Sequence, residues 1–187
     1  MSNSKLDRRK KYTRMVLKES LIKLLKEKPI FSITVKEICE LADINRSTFY
    51  SHYSDQYDLL EKMEEEIIED MYMYLSQYNF AKEEETLQMT EKLLEYLASK
   101  WEICQILLSE NNETTFENKV MTVAKNFIIK NHSTAPLDES FSDYLSTFII
   151  SGSIHMIKNW LKNGMDKSPK EMAGFLYTLI NKRILSL

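Results

Sequence analysis

TVKEICELADINRSTFYSHYSD, residues 34–55, places two short apolar patterns on either side of one corner and follows them with hydroxyl, cationic and aromatic side chains set almost side by side. Thr34 and Glu37 have the spacing of a capping box, in which hydroxyl and carboxylate satisfy each other's exposed backbone N–H groups, and Ile33 and Ile38 are placed to staple it. A helix therefore starts at Thr34 and turns Val35, Ile38, Cys39 and Ala42 inward. Asp43 sits where the chain must turn. Ile44 plugs the corner, Asn45 caps a third helix, and Phe49 with Tyr53 supplies that helix with an i, i+4 inward pair. A helix this short is unstable alone; packing must hold it, and its outward residues are then presented on a rigid platform.

Upstream, Val16, Leu17, Leu21, Leu24 and Leu25 recur at three- and four-residue spacing and predict an amphipathic helix from about Asp7 to Lys28, ended by Pro29. Six basic residues, Lys5, Arg8, Arg9, Lys10, Lys11 and Arg14, crowd its beginning, where cations oppose the macrodipole. An external anion accounts for them better than the fold does. Downstream, Ser54 is expected to cap a long fourth helix reaching roughly Tyr78, with Tyr57, Leu60, Met63, Ile67, Met71, Tyr74 and Leu75 as its stripe. Further helices are expected at residues 84–99, 101–109, 115–130, 139–162 and 169–185. Gly164 reads as a left-handed helix end, after which Ser168, Pro169 and Glu171 form a second capping box with proline at the first helical position.

Three Gly and three Pro in 187 residues leave too few turn formers for many short strands, so the predicted class is all-α. The net charge of −3 conceals a division: residues 1–53 carry 12 Lys and Arg against 6 Asp and Glu, and the remainder 13 against 22, giving +6 and −9. A cationic nucleic-acid module joined to an acidic body has this pattern. Cys39 and Cys104 lie far apart without a CxxC pair or a Cys/His cluster, so two buried thiols are expected, with neither disulfide nor metal site. The charged N-terminal stretch and the lack of a long apolar run predict no membrane span and a cytoplasmic location.

Two short helices about one corner, the second exposing hydroxyls, a cation and a phenol, form the helix-turn-helix pattern, whose second helix fits a DNA major groove. ITVKEICELADINRSTFYSHYSDQYDLLEKM resembles the N-terminal domain of the TetR family of bacterial transcription regulators, over about the first 60 residues. The resemblance implies that Thr34 and Lys36 lie where the first motif helix meets DNA, and Arg46, Ser47, Thr48, Tyr50, Ser51 and His52 where the recognition helix does. Tyr50 and His52 are then phosphate anchors, and Arg46, Ser47 and Thr48 lie nearest the bases. Two positions depart from the family pattern. Asp43 stands where glycine is common, tolerable because Asp enters left-handed backbone at modest cost, and Gln56 stands where a lysine often contacts phosphate.

Past residue 60 the resemblance implies a helical ligand-binding and dimerisation domain, so the expected organisation is 1–55 for DNA binding and 56–187 for effector binding and pairing. FIISGSIHMIKNWLKNGMDKSPKEMAGFL is also similar to a TetR subgroup that includes dihydroxyacetone kinase regulators. Along residues 140–161, Leu145, Phe148, Ile149, Gly152 and Met156 form one stripe and Ile150, Ile154, Ile157 and Leu161 another, so this helix must be covered twice. Gly152, Ile154, Ile157, Phe175 and Leu179 are the expected dimer interface, with Met172, Leu176, Ile180 and Ile184 of the last helix joining the same cluster. Trp101, Cys104, Tyr144 and His155 are the expected effector-pocket residues, semipolar groups on apolar faces. The run Glu64, Glu65, Glu66, Glu69 and Asp70 reads as a solvated helix face.

The function expected is a sequence-specific DNA-binding regulator, a homodimeric repressor released from a near-palindromic operator by an unidentified small-molecule effector, with no cofactor. The alternatives are an activator or co-regulator of the same family with little DNA binding of its own and, more remotely, a helical-bundle enzyme. HExxH, GxSxG, glycine-rich phosphate loops and paired Glu-x-x-His ligands are all missing, which argues against an enzyme. An indiscriminate architectural DNA protein would need positive charge along the whole chain.

Overall fold

The computed structural model describes residues 2–78, 82–108, 115–131 and 139–180, with side chains over 7–78, 82–108, 116–126 and 144–180. The side chain of Lys5, and Ile184 with the expected end of the last helix, lie outside these. Among the described residues the chain is all-α: α1 (Ser2–Leu25), a 3-10 turn (Ile30–Ser32), α2 (Val35–Ala42), α3 (Arg46–Tyr50), α4 (Gln56–Ser76), α5 (Glu83–Ser99), α6 (Trp101–Leu107), α7 (Thr115–Asn131), α8 (Glu139–Lys162) and α9 (Pro169–Tyr177). Two compact units divide within α4, one reaching Ile67 and the other beginning at Ile68.

The first unit is a three-helix motif extended by the opening turns of α4. Leu17 and Leu21 of α1, Ile33, Ile38, Phe49 and Leu59 are fully or almost fully buried, and Tyr53, Leu60, Met63 and Ile67 complete the core. The capping box at Thr34 is present: the Glu37 N–H donates to Thr34 Oγ1 at 3.3 Å, and the Thr34 N–H donates to Glu37 Oε2 at 2.9 Å. Ile33 and Ile38, the staple positions, are both buried. Lys28 donates to Glu37 Oε1 at 2.5 Å, and that ammonium, followed by the Thr34 hydroxyl and N–H, holds the Glu37 carboxyl down at about 2.

The corner is a Schellman turn. Asp43 has φ 52° and ψ 46°, the left-handed region, and the Ile44 N–H returns to the Cys39 carbonyl at 3.0 Å. Asn45 then caps α3 through Oδ1, which accepts the Ser47 N–H at 2.9 Å. Two expectations change at the next boundary. Asp55, not Ser54, caps α4, its Oδ1 accepting the N–H groups of Tyr57 and Asp58 at 2.9 Å each, while Ser54 donates its own N–H to Asp58 Oδ2 at 2.8 Å. Tyr57, in phase with the stripe but in the first turn of α4, is exposed, and Leu59 is buried beside Leu60.

The second unit packs α5 on α9, α6 on α8 and α7 on α8. Leu75, Met89 and Val123 form one apolar cluster of its core, bordered by Ile68, Tyr78 and Leu93. Gly164 ends α8 with φ 76°, a second Schellman turn in which the Met165 N–H reaches the Trp160 carbonyl at 2.9 Å. Trp160, almost fully buried, donates its indole N–H to the Lys167 carbonyl at 2.9 Å, tying that turn to the Ser168–Glu171 capping box that starts α9. The acidic run on α4 is not wholly solvated. Glu64 is buried, and Asp70 accepts a 2.7 Å hydrogen bond from the Tyr96 hydroxyl.

Asp43→Gly should raise the unfolding free energy by about 1 kcal/mol, the cost of left-handed backbone in an L-residue, whereas Thr34→Ala should lower it by about 1 kcal/mol; urea titration measures both. Because the Glu37 carboxyl is depressed, the stability it contributes is complete above about pH 4.5 and is lost as the pH falls toward about 2. Glu37→Gln should therefore flatten that acid limb.

Candidate nucleic-acid interface

The outward face of α3 is built from inside. Phe49 is completely buried and Tyr53 nearly so, their rings 5.8 Å apart, which turns Arg46, Ser47 and Tyr50 to the surface. Tyr50 stays 58% exposed while its ring stands edge-on to Phe49 at 5.6 Å and 85°, so the phenol is aimed outward from a supported position. Thr48, His52 and Gln56 are half-buried along the same segment.

Several of these hydroxyls are already engaged. Ser47 Oγ donates to Asn45 Oδ1 at 3.1 Å, Ser51 Oγ donates to the Thr48 carbonyl at 2.7 Å, and Thr34 Oγ1 donates to Glu37 Oε2 at 2.8 Å. The geometry gives Thr34 a positional task, starting α2. Lys36, on the exposed side of α2, lies 3.7 Å from Glu40, a loose surface pair contributing little. Lys36 and Arg46 line one shallow depression of about 330 Å³ at the corner, together with Glu40, Asp43 and Asn45. Arg46 has no hydrogen-bond or ion-pair partner among the described residues.

Two cations of α1 join this face that the reading of the motif alone does not assign to it. Partial burial, and after it the positive charges of Arg14 and Lys10, hold the His52 imidazole below the usual histidine range. Neither has an ion-pair partner among the described residues. Their spacing, i and i+4 in the basic run, is the sequence signal that places both on one side of α1. The run does not stand at a helix start, since α1 begins at Ser2; Lys10 and Arg14 lie in the helix body, beyond reach of the macrodipole's end.

The other expected sites separate. Of the four pocket residues, Cys104 is completely buried, its thiol pushed up to about 12 by that burial, whereas Tyr144 is 78% exposed, His155 is exposed and Trp101 lies near the surface. A half-buried polar contact joins Tyr96 to Asp70; Tyr96 lies 5.3 Å from the Tyr74 ring, and its phenol is raised by burial and then by the carboxylate. Of the expected pairing residues, Ile154 is buried within the single chain and Ile157 is half-buried, because the i, i+4 row Ile150, Ile154 faces inward. Gly152, Phe175 and Leu179 are exposed, as is Phe148 at 66%. A Cβ added at Gly152 would meet nothing within 4 Å.

A helix-turn-helix unit followed by a separate helical body defines a class of DNA-linked regulators. A family model described as a transcriptional regulator C-terminal region of the TetR type matches residues 84–182, more than half of the chain. The chain belongs to the TetR family and is a transcriptional regulator. It is 42% identical over 55 residues to the uncharacterized HTH-type transcriptional regulator YxbF of Bacillus subtilis (strain 168), a match spanning 29% of this chain and only 13% of that relative's length. Among solved structures, a TetR transcriptional regulator from Streptococcus agalactiae 2603V superposes with a TM-score of 0.68 at 22% identity, covering 95% of this chain and 98% of that one. The dihydroxyacetone kinase operon activator DhaS gives a TM-score of 0.63 at 16% identity, covering 94% and 97%. At these identities the two structures establish the shared fold. No helix among the described residues is long and apolar enough to cross a membrane.

Asn45→Ala removes the only side-chain acceptor at the start of α3 among the described residues and should cost about 1 kcal/mol. The loss should be local: amide exchange at Ser47 and Thr48 accelerates more than at Ile38.

Proposed function

We propose that the first unit binds duplex DNA sequence-specifically, with α3 in the major groove and α1 and α2 on the flanking phosphates. The observation that carries this is that Arg46, Arg14 and Lys10 have no ion-pair partner among the described residues and belong to the same unit as the exposed phenol of Tyr50. Guanidinium and ammonium groups held without partners are matched by phosphate oxygens and guanine edges. Arg46, Thr48 and Ser47 stand nearest the bases; Tyr50, His52, Gln56 and Lys36 serve the backbone, with Thr34 and Ser51 shaping the ends of the two motif helices. These unpaired cations also favour direct DNA binding over the co-regulator alternative.

The protein acts as a homodimer whose two recognition helices read inverted half-sites, spaced by one or more helical turns of ~34 Å. Support comes from the uncovered apolar side of α8 and α9: Phe148, Phe175 and Leu179 are exposed in the single chain, and Gly152 leaves open space where a second helix could approach closely. Repression relieved by a small-molecule effector in the second unit is the regulatory reading. Such an effector must bind the DNA-incompetent form more tightly than the competent one.

Mobility shifts with the DNA upstream of the protein's own gene test the reading. Arg46→Ala should weaken discrimination at one base position by about 1–3 kcal/mol, and Tyr50→Phe should weaken binding to all sites alike. Equal, sequence-indifferent binding by wild type and Arg46→Ala would refute it. Phe148→Glu should convert the species seen by light scattering from two chains to one; an unchanged mass would refute pairing through α8.

A further inference from the structure

The outer side of α8 is poor in formal charge, although residues 54–187 carry 22 acidic residues against 13 basic ones. Tyr144, Phe148, Gly152 and His155 follow one another at i, i+4, i+8 and i+11, which places them on one side of the helix, and all four are exposed in the single chain. From residue 144 to residue 161 the one Asp, Glu, Lys or Arg is Lys158, and Glu117 of α7 holds its ammonium at 3.0 Å. A two-fold interface sets a surface against its own copy, so net charge on it would repel itself. An uncharged face bearing exposed aromatic rings is therefore suited to a second copy of this chain. His155 is the group on that face that can become charged near neutral pH.

We propose that pairing through α8 is gated by the charge of His155: the neutral imidazole is enclosed with the apolar face, and protonation opens the pair. The inference rests on the pairing reading above. His155 has no hydrogen bond or ion pair among the described residues. Its own helix brings Lys158, already paired, and Lys162 two turns on. Of the helices packed on α8, α7 brings Glu117, committed to Lys158, with Lys119 and Lys125, and α6 brings Glu102, these three being engaged elsewhere. At the start of α9, Lys170 stands beside Glu171, whose carboxylate serves the Ser168 cap. Each carboxylate among these groups is spent, and enclosing an imidazolium without a counterion costs far more than enclosing the neutral ring. The sign follows from linkage. The paired form binds fewer protons than the free chain, so affinity between copies falls as pH drops below about 6.5, histidine's usual value, by up to about tenfold per pH unit for each of the two imidazoles. Above that value both forms are neutral and affinity levels off. Because reading two half-sites requires the pair, acid releases the operator.

Sedimentation of the full chain from about pH 5.5 to about pH 8 at constant ionic strength, the range in which histidine titrates, tests the gate. Wild type should run as two chains at the upper end and shift toward one chain at the lower. His155→Gln occupies the same place without titrating and should stay paired throughout, whereas His155→Arg carries a permanent charge and should stay single throughout. Dilution calorimetry at the acid end, in two buffers of different ionisation enthalpy, should report proton release on pairing by wild type and none by His155→Gln. His52 and His132 remain in all three proteins, so the comparison isolates His155. Wild type that pairs equally well at both ends, or His155→Gln that either fails to pair or comes apart in acid as wild type does, would overturn the inference while leaving pairing intact. A wild-type chain that is single at every pH would instead overturn the pairing reading, and this inference with it.

Discussion

The burial of Phe49 is the constraint on which the proposed interface depends. α3 has five residues, far fewer than the ~12–15 at which an isolated helix becomes even marginal in water. Its hydrogen bonds alone do not keep it folded. Phe49 at zero exposure, worth about 1.5–3 kcal/mol of transfer free energy, together with Tyr53, holds it against the core that α1 and α2 build from Leu17, Leu21 and Ile38. The Asp43 corner sets the direction from which α3 leaves α2. Both conditions are local to one unit, which allows the reading helix to be rigid while the rest of the chain varies.

Much of this was legible in the sequence because the signals are short-range. A capping box needs only residues three apart, and those at Thr34 and Ser168 form as their spacing requires. The left-handed corners at Asp43 and Gly164 also follow from residue type and position. At Ser54 and Asp55 two good caps are adjacent, and the choice falls to whichever carboxylate or hydroxyl reaches the N–H groups ahead; Asp55 reaches two. Tyr57 is exposed because it lies in the first turn of α4, while Leu60, Met63, Ile67, Met71 and Leu75 of the same stripe are buried.

Features that depend on distant packing were not legible. Glu64 falls on the α4 stripe, four residues after Leu60 and three before Ile67, and is buried, whereas Glu65 beside it is partly open to solvent; a carboxylate on an apolar stripe gives no local sign of how far packing will cover it. The two stripes of α8 were visible as apolar rows, but how each is covered depends on the helices packed on it, and residues of both, Ile149 of one and Ile150, Ile154 and Leu161 of the other, are buried in the single chain. The pocket expectation rests on mixed polarity at Trp101 and Cys104 of α6 and at Tyr144 and His155 of α8, a property that says nothing about whether side chains on two helices converge. The Tyr96 to Asp70 hydrogen bond, which joins α5 to α4, is the polar contact that such reasoning had no means to find.

The same accounting narrows what reads sequence in the proposed complex. Hydroxyls committed to caps and carbonyls are costly to redirect, because a new bond to a base replaces one already made. That discounts Thr34 and Ser51 and, in part, Ser47, whose hydroxyl serves the Asn45 cap. Lys36 and Lys10 are flexible ammonium groups suited to phosphate, whereas Arg46 presents a planar fork at the first position of α3 with no side-chain partner among the described residues. Base discrimination therefore concentrates on Arg46, with Thr48 beside it, and the surrounding cations supply affinity that is indifferent to sequence. A reader with so few discriminating groups per half-site gains selectivity chiefly by requiring two half-sites at a fixed separation, which is the physical reason the DNA-binding reading and the pairing reading stand together.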